Sequence, residues 1–364
     1  MKTAMLSGLV LMLALNASAQ SLSTGKGDLR VMTYNVNEGT DFLEIQAATD
    51  QQSFLAAVVQ TITQVRATNP PARMQALAKQ IIAASPDLVG LQELDQWSTG
   101  PLSFATGCGQ LTTEFDMLKE LQDALAAQGA HYMVAVQQQQ YAFPAIPGAI
   151  FPSGPFLCVA VVDQIAILAR TDLDPSKFQV TNPQSAQYAT ALVFPTPVGP
   201  LPLPRAWASV DATFHGQTFR FITTHLESVD TTQFGLPSFR ELQGAELRAG
   251  PANTSLPVVI AMDSNSQAAP LPQDPTYVDF TLAGYADVWS DIFPGVLGFT
   301  CCQDQLDNNV VSDLYQRIDL ILTLGPVEAQ NIALFGATPA SKTPGGLWPS
   351  DHAGVAAQVV VETQ

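Results

Sequence analysis

The chain has 364 residues, of which 13% are charged and 47% are hydrophobic, and its formal net charge is -17 at pH 7. This composition is typical of a well-packed globular protein and excludes a disordered chain. The excess of acidic residues disfavours tight, non-specific binding of nucleic acid, which requires a basic surface. It does not exclude a cation-assisted nuclease.

The N-terminal segment has the pattern of a secretory signal. Lys2 precedes an apolar run from Leu9 to Leu15, and small residues up to Ala19 provide a cleavage site. The run is too short to anchor the chain in a bilayer. We therefore expect cleavage near Ala19 and a protein located in the periplasm or outside the cell. The predicted organisation is a signal peptide over 1–19, a polar linker over 20–28 and one domain over 29–364.

Four cysteines, Cys108, Cys158, Cys301 and Cys302, fall within the expected mature chain. An exported protein meets oxidising conditions, in which cysteines form disulfides. Adjacent cysteines rarely pair because the ring that they close is strained, so we expect Cys301 and Cys302 each to pair with one of the other two. Buried free thiols are the alternative.

Hydrophobic periodicity and turn residues predict an alternation of helices and strands. Helices are expected over 43–65, 73–84, 113–128, 239–249 and 277–283. Strands are expected over 29–37, 88–94, 131–136, 163–170, 206–214, 217–226, 258–263, 317–324 and 353–361. The chain divides into two such halves, which predicts two sheets packed face to face with helices outside.

The stretch from Pro257 to Asn265 carries the strongest local signal. Its β-branched residues indicate a strand buried on both faces. Side chains alternate along a strand, so Asp263 and Asn265 at its end point the same way. Their oxygens suit a divalent cation and the phosphate that it holds. The alternative is an ordinary strand end followed by turn-forming residues.

Other predicted strands also end in, or lie next to, polar residues that could carry chemistry. In chain order these residues are Asn35, Glu93, His225, Asp263 with Asn265, Asp319, and Asp351 with His352. The surrounding segments read TYNV, PDLVGLQEL, THLES, AMDSNS, RIDLIL and SDHAGV. In this order they resemble the endonuclease/exonuclease/phosphatase superfamily, the DNase-like metal-dependent phosphohydrolases. The resemblance implies a four-layer α/β sandwich with two packed mixed β-sheets.

The resemblance implies a metal site for which the residue types are suitable. Glu93 would be the main metal ligand, Asn35 would lie beside it as a further metal residue, and Asp351 would bind metal or orient water. Hard oxygen ligands favour Mg²⁺, with Mn²⁺ or Ca²⁺ as possible substitutes. A cation helps because the anionic oxygens of a phosphoric ester repel the attacking nucleophile.

The resemblance also implies catalytic roles. His352 would be the catalytic histidine, and Asp319 would hold its ring and fix its tautomer. Asp263 would position the attacking water and Asn265 the phosphate, while His225 would donate to a phosphate oxygen or to the leaving group. Whether His352 takes a proton from water or stabilises the transition state as a cation stays open.

Two weaker assignments come from the deoxyribonuclease-like members that the sequence resembles. Arg205 lies where they carry a phosphate-binding arginine, and an arginine at a loop exit with a surface partner is the alternative. Asp163 lies where they carry an acid that orients the first histidine, although we favour a simple strand-start aspartate.

Two segments, 141–157 and 194–204, are apolar and rich in proline and glycine, which predicts loops without regular structure. Two interpretations remain open. The loops cover a sheet edge, since monomers seldom leave large apolar patches exposed, or they form an apolar lip beside the metal site that contacts a lipid surface or a hydrophobic substrate. The aromatic residues concerned are Phe143, Phe151, Phe156 and Phe194.

The predicted function is a secreted, monomeric, metal-dependent phosphoric-ester hydrolase of the phosphodiesterase type. A phospholipid or a small phosphodiester is slightly favoured as substrate, because the acidic chain lacks a strong nucleic-acid footprint. A secreted nuclease of deoxyribonuclease type is the first alternative. The second is a non-catalytic binding protein on the same fold.

Overall fold

The computed structural model describes residues 28–362. The predicted signal peptide and almost all of the predicted linker lie outside the described residues.

Strands and helices are distributed along the described residues. The strands are β1 Leu29–Asn35, β2 Leu88–Gln92, β3 Gln96–Ser103, β4 Gly107–Cys108, β5 Thr112–Asp116, β6 Tyr132–Ala149, β7 Phe156–Arg170, β8 Phe178–Gln187, β9 Leu192–Thr196, β10 Gly199–Leu203, β11 Ala206–Phe214, β12 Gln217–His225, β13 Val258–Asp263, β14 Ala286–Asp287, β15 Asp319–Leu324, β16 Val327–Phe335 and β17 Gly354–Val361. The α-helices are α1 Leu43–Gln46, α2 Gln51–Thr68, α3 Pro70–Ala84, α4 Met117–Ala127, α5 Phe239–Ala249, α6 Pro275–Leu282 and α7 Val288–Ile292.

The strands build two mixed sheets. The larger has the order β16-β17-β1-β2-β7-β3-β4, with β6 paired to β7 and β5 to β3; the smaller has the order β14-β15-β13-β12-β11-β8. Each sheet contains a parallel pair, β1 with β2 and β12 with β13. A separate hairpin joins β9 and β10. The architecture confirms the predicted α/β sandwich of packed mixed sheets.

The two sheets approach each other closely where β2 faces β12 and β13. A Cβ added to Gly90 would lie 2.8 Å from the carbonyl oxygen of Ala261, so only glycine fits there. Two residues further, Gln92 donates from Nε2 to Thr223 Oγ1 at 2.9 Å. Buried side chains of both sheets fill the core between them. This contact brings the ends of β2 and β13 together.

Several predicted helices are confirmed, but the one expected from Thr113 begins later. Residues Thr112–Asp116 form β5, which pairs with β3. The Asp116 side chain then accepts a hydrogen bond from Lys119 N and caps α4. This short segment therefore forms a strand rather than a helix, because β3 offers it a pairing partner and its threonines favour strands.

The prediction that the two apolar segments lack regular structure is wrong. Strands β6 and β7 form a long hairpin, and β9 pairs with β10. The register of β6 shifts between Gln139 and Ala142 and again between Phe143 and Ile146. Such bulges accommodate proline, which lacks the donor that a regular ladder needs.

The predicted pairing of distant cysteines is also wrong. Cys108 is bonded to Cys158, and Cys301 is bonded to Cys302. The first pairing follows from the sheet order, because β3 runs between the strands that carry the two residues: Leu102 lies opposite Cys108 and Gly100 lies opposite Cys158.

Among the helices described, we find none with both the length and the apolar character needed to cross a membrane.

Candidate active site

Strand ends from both sheets meet at one edge of the sandwich. Asn35 ends β1, Glu93 follows β2, and His225 and Asp263 end the parallel pair β12 and β13, in which they lie opposite each other. Asp319 begins β15, which runs antiparallel to β13, and it lies opposite Asp263. The C-terminal end of a strand lies at the same edge of a sheet as the C-terminal end of a parallel neighbour and the N-terminal end of an antiparallel neighbour. The predicted polar residues therefore converge.

The pair formed by His352 and Asp319 is deeply buried. His352 Nδ1 lies 2.8 Å from Asp319 Oδ2. The backbone of each residue is also held, because His352 N donates to Ser350 Oγ and Asp319 N donates to Thr300 Oγ1. Burial alone lowers the pKa of His352, but the nearby carboxylates, Asp319 foremost, outweigh it and raise the pKa well above its usual value. The ring is therefore set up to carry a proton.

On its other side, His352 faces two more carboxylates. Its Nε2 lies 3.9 Å from Asp263 Oδ2 and 3.9 Å from Asp351 Oδ2. The side chain of Asp351 is 26% exposed, against 0% for Asp319. Asp351 therefore lies at the open side of the site.

Glu93 and Asp263 are held together by Asn35. The Asn35 amide nitrogen donates to Glu93 Oε1 at 2.7 Å and to Asp263 Oδ2 at 2.9 Å. Burial and the Asp351 charge raise the pKa of Glu93 to about 7, and burial and the Asp319 charge raise the pKa of Asp263 to about 6. Each carboxylate is thus costly to ionise without a nearby cation.

His225 differs from His352 in its charge. Arg205 Nη1 lies 3.1 Å from His225 Nδ1, and the ring nitrogen Nε2 lies 3.5 Å from Asp263 Oδ2 and 3.8 Å from Glu93 Oε1. Since an arginine only donates, Nδ1 accepts and the proton of the neutral ring sits on Nε2. Burial and the Arg205 charge lower the pKa of His225 well below its usual value.

Two further predicted residues, Asn265 and Asp163, lie nearby. The backbone N–H of Asn265 donates to Asp263 Oδ1 at 2.8 Å, and its side-chain amide donates to Leu226 O. Asp163 lies in the middle of β7, fully buried, so the strand-start interpretation is wrong. Its carboxylate accepts from Gln140 Nε2 at 2.7 Å, whereas Arg205 occupies the His225 ring nitrogen that an orienting acid would need.

Sequence reasoning missed a group of acids behind Glu93. The backbone N–H of Glu38 donates to Glu93 Oε2, and Tyr141 donates from its hydroxyl to Glu38 Oε2, both at 2.8 Å. Burial and neighbouring carboxylates raise the pKa of Glu38 and of fully buried Asp95 well above their usual values. Asp95 follows Glu93 by two residues in the sequence QELD, and this spacing is the sequence signal that could have identified it.

A divalent cation fits this donor set. Carboxylate oxygens of Glu93 and Asp263 lie within 4.8 Å of each other. In the described part of the chain, Glu93 makes no ion pair with an arginine or a lysine. Hard carboxylate oxygens in a buried cluster of net negative charge suit a cation of the Mg²⁺ or Ca²⁺ type. The Asn35 nitrogen faces the carboxylates, so Asn35 braces Glu93 rather than adding an oxygen to it.

Comparisons with solved structures return the same fold in three bacterial proteins. An endonuclease/exonuclease/phosphatase family protein from Leptotrichia buccalis has 13% identity and a TM-score of 0.53, with 91% of this chain and 99% of that chain covered. A mannosyl-6-phosphatase from Bacteroides thetaiotaomicron has 17% identity and a TM-score of 0.50, with 91% and 99% covered. An endonuclease/exonuclease/phosphatase from Bacteroides vulgatus has 15% identity and a TM-score of 0.50, with 93% and 100% covered.

A comparison with curated protein sequences finds no match. The sequence model of the Endonuclease/Exonuclease/phosphatase family, in contrast, matches residues 32–352, which include every strand end described above. The chain therefore belongs to the endonuclease/exonuclease/phosphatase family and is a hydrolase of the phosphoesterase type.

Proposed function

We propose that this protein is a secreted, divalent-metal-dependent phosphodiesterase. The observation that carries the proposal is the convergence of the His352–Asp319 pair, a neutral His225, the buried carboxylate of Asp263 and the partly exposed carboxylate of Glu93, with 3.5 to 3.9 Å between the histidine Nε2 atoms and the facing carboxylate oxygens. Hydrolysis of a phosphodiester requires stabilisation of the non-bridging oxygens, orientation of the attacking water and protonation of the leaving oxygen. This site offers a separate group for each task.

Glu93 and Asp351 would hold the cation, with Mg²⁺ favoured and Mn²⁺ or Ca²⁺ as possible substitutes. When bound, the cation neutralises phosphate charge and lowers the pKa of water. Asn35 keeps the Glu93 and Asp263 carboxylates in place through its amide nitrogen.

The protein side chains then divide the proton transfers. Asp263 orients the attacking water and accepts its proton, because its Oδ2 faces the centre of the site. His352, held by Asp319, donates to a phosphate oxygen as a cation. His225 presents its Nε2 proton towards the leaving oxygen, and Asn265 supports the phosphate. Arg205 acts on the phosphate through His225, whose tautomer it fixes.

The test is a substrate panel with the purified mature protein and Mg²⁺. It should contain bis-nitrophenyl phosphate, nitrophenyl phosphate, plasmid DNA, RNA, sphingomyelin, phosphatidylcholine and phosphoinositides. We expect EDTA-sensitive hydrolysis of the diester that exceeds hydrolysis of the monoester. Preferential cleavage of DNA would favour the nuclease alternative, and no metal-dependent hydrolysis of any substrate would favour a binding protein.

A further inference from the structure

Three segments of the chain contain no charged residue: 96–113, 132–162 and 178–204. These segments contain the β3–β4 hairpin, the β9–β10 hairpin and the part of the β6–β7 hairpin up to Val162, which we call the uncharged hairpins. These hairpins are neighbours, because β3 pairs with β7, and β6 packs against both β4 and β10. A protein with a net charge of -17 thus has an extended neutral region formed by these hairpins.

The tips of the uncharged hairpins expose apolar side chains. Phe104, between β3 and β4, is 65% exposed, Phe151, between β6 and β7, is 46% exposed, and Val198, between β9 and β10, is 47% exposed. The Phe104 ring centroid lies 5.7 Å from that of Phe151 and 5.2 Å from that of Phe156. In contrast, Phe143 of the same β6–β7 hairpin is buried in the core. The exposed rings are therefore concentrated at the tips.

The Cys108–Cys158 bond fixes this arrangement. It ties β4 to β7, and so links the hairpin that carries Phe104 to the hairpin that carries Phe151 and Phe156. A monomer that held this cluster rigidly in water would gain nothing from it, which points to a partner.

The backbone at the main tip is suited to an apolar environment. Gly154 N donates to Ile150 O at 2.7 Å, and Ile150 N donates to Pro155 O at 3.2 Å. Pro152 and Pro155 have no N–H group. The two hydrogen bonds and the two prolines reduce the number of free backbone donors at this tip, and an unsatisfied donor is what makes entry of a loop into lipid costly.

We propose that the tips of the uncharged hairpins dock the protein on a zwitterionic lipid bilayer, with Phe104 and Phe151 inserted at the headgroup and acyl boundary. Charge selects this occupant. The tips offer no cation for anionic lipid, and a carboxylate, Asp50, borders the groove of about 660 Å³ that Phe104 and Phe151 line. A neutral bilayer surface is compatible with both features.

The docking surface is separate from the candidate active site but connected to it. Strand β6 runs from the tip back to Tyr141, whose hydroxyl donates to Glu38 beside Glu93. Nine residues of strand span roughly 30 Å. Docking therefore concentrates the protein at a lipid surface, and it requires neither a bound cation nor catalysis.

The experiment is co-sedimentation with phosphatidylcholine vesicles in EDTA. Wild type should bind, and Phe104→Ser/Phe151→Ser should bind at least about tenfold more weakly, since two exposed aromatic anchors are lost. Both proteins should hydrolyse bis-nitrophenyl phosphate equally when Mg²⁺ is added. Leu282→Ser, which removes an 81% exposed leucine at the end of α6, should bind like wild type. Glu93→Gln should also bind like wild type, which separates docking from hydrolysis.

A second variant covers the case in which the double variant fails to fold. Phe151→Trp should show a blue shift of tryptophan emission with phosphatidylcholine vesicles, and brominated lipid should quench it. The proposal is overturned if wild type ignores these vesicles, if it binds anionic vesicles only, or if the folded double variant binds as well as wild type. It is also overturned if wild type does not bind vesicles but forms a dimer in solution, and if Phe104→Ser/Phe151→Ser converts that dimer to a monomer.

Discussion

The candidate active site, to which both sheets contribute, and the β3–β4 and β6–β7 hairpins of the nine-stranded sheet have opposite properties. Strand β7 passes through both: Asp163 in its middle is a buried carboxylate among other acids, and Phe156 at its start contacts two exposed rings. One region buries charge, and the other exposes apolar surface. Each arrangement is unfavourable for an isolated chain, so each supports the ligand that we propose for it: a cation in the first region and a lipid surface in the second.

The largest effect should come from Glu93→Gln, which removes the carboxylate that we assign to the cation. We expect hydrolysis of bis-nitrophenyl phosphate to fall by at least about 10⁴-fold, because charge neutralisation by the metal contributes several kcal/mol. Calorimetric titration should show weaker Mg²⁺ binding. The matched control is Glu114→Gln, which loses a surface ion pair with Arg66, leaves an oxygen that can still accept from Thr99, and should keep full activity. Unchanged activity of Glu93→Gln, or activity that survives EDTA, would contradict the assignment.

The next largest effect should come from the His352–Asp319 pair. His352→Ala and Asp319→Ala should each lower the rate by about 10² to 10⁴, the range for acid–base groups. The two residues act as one unit, so the double variant should be little slower than His352→Ala. Steady-state rates of all three variants test this. Fully additive losses would show that the contact at 2.8 Å does not serve catalysis.

Removal of the Cys108–Cys158 bond should separate the two regions. We expect Cys108→Ser/Cys158→Ser to lower the free energy of unfolding by about 2 to 4 kcal/mol, since the bond closes a loop of 50 residues. Vesicle binding should weaken, while hydrolysis of the soluble diester below the melting temperature should persist. Denaturant unfolding and the two assays provide the measurements. Equal loss of hydrolysis and binding would show that the regions are not independent.

The smallest effect concerns pH. Glu93 and Asp263 have pKa values raised to about 7 and about 6 in the folded protein. A raised pKa means that their contribution to stability is full below the unfolded values near 4 and is lost as pH rises through 6 to 7. Without metal, the melting temperature should therefore fall between pH 4 and 7 by on the order of 5 °C.

Addition of Mg²⁺ at pH 7 should reverse this fall, because the cation stabilises the ionised carboxylates. Glu93→Gln/Asp263→Asn should show a smaller fall and little response to Mg²⁺. Thermal unfolding with and without Mg²⁺ measures both effects. A melting temperature that rises from pH 4 to 7 in metal-free wild type but not in the double variant would reverse the assigned sign.

Local pattern alone determined much of the fold and the site. Alternation of side chains along a strand placed Asp263 at the end of a buried strand, and polar ends of other strands identified Asn35, Glu93, His225 and His352. These signals are short in range, since they depend on the period of a strand and on where the apolar run stops. The structure brings all five residues to one edge.

Only the tertiary structure decided which partners these residues have. Arg205 meets His225, and the acids Glu38 and Asp95 collect behind Glu93, because separate strands of two sheets converge there. Cys108 meets Cys158 across β3, and proline-rich segments become hairpins since neighbouring strands offer them pairing. Such contacts join residues far apart in the chain, and composition or periodicity within one segment carries no information about the segment that will lie beside it.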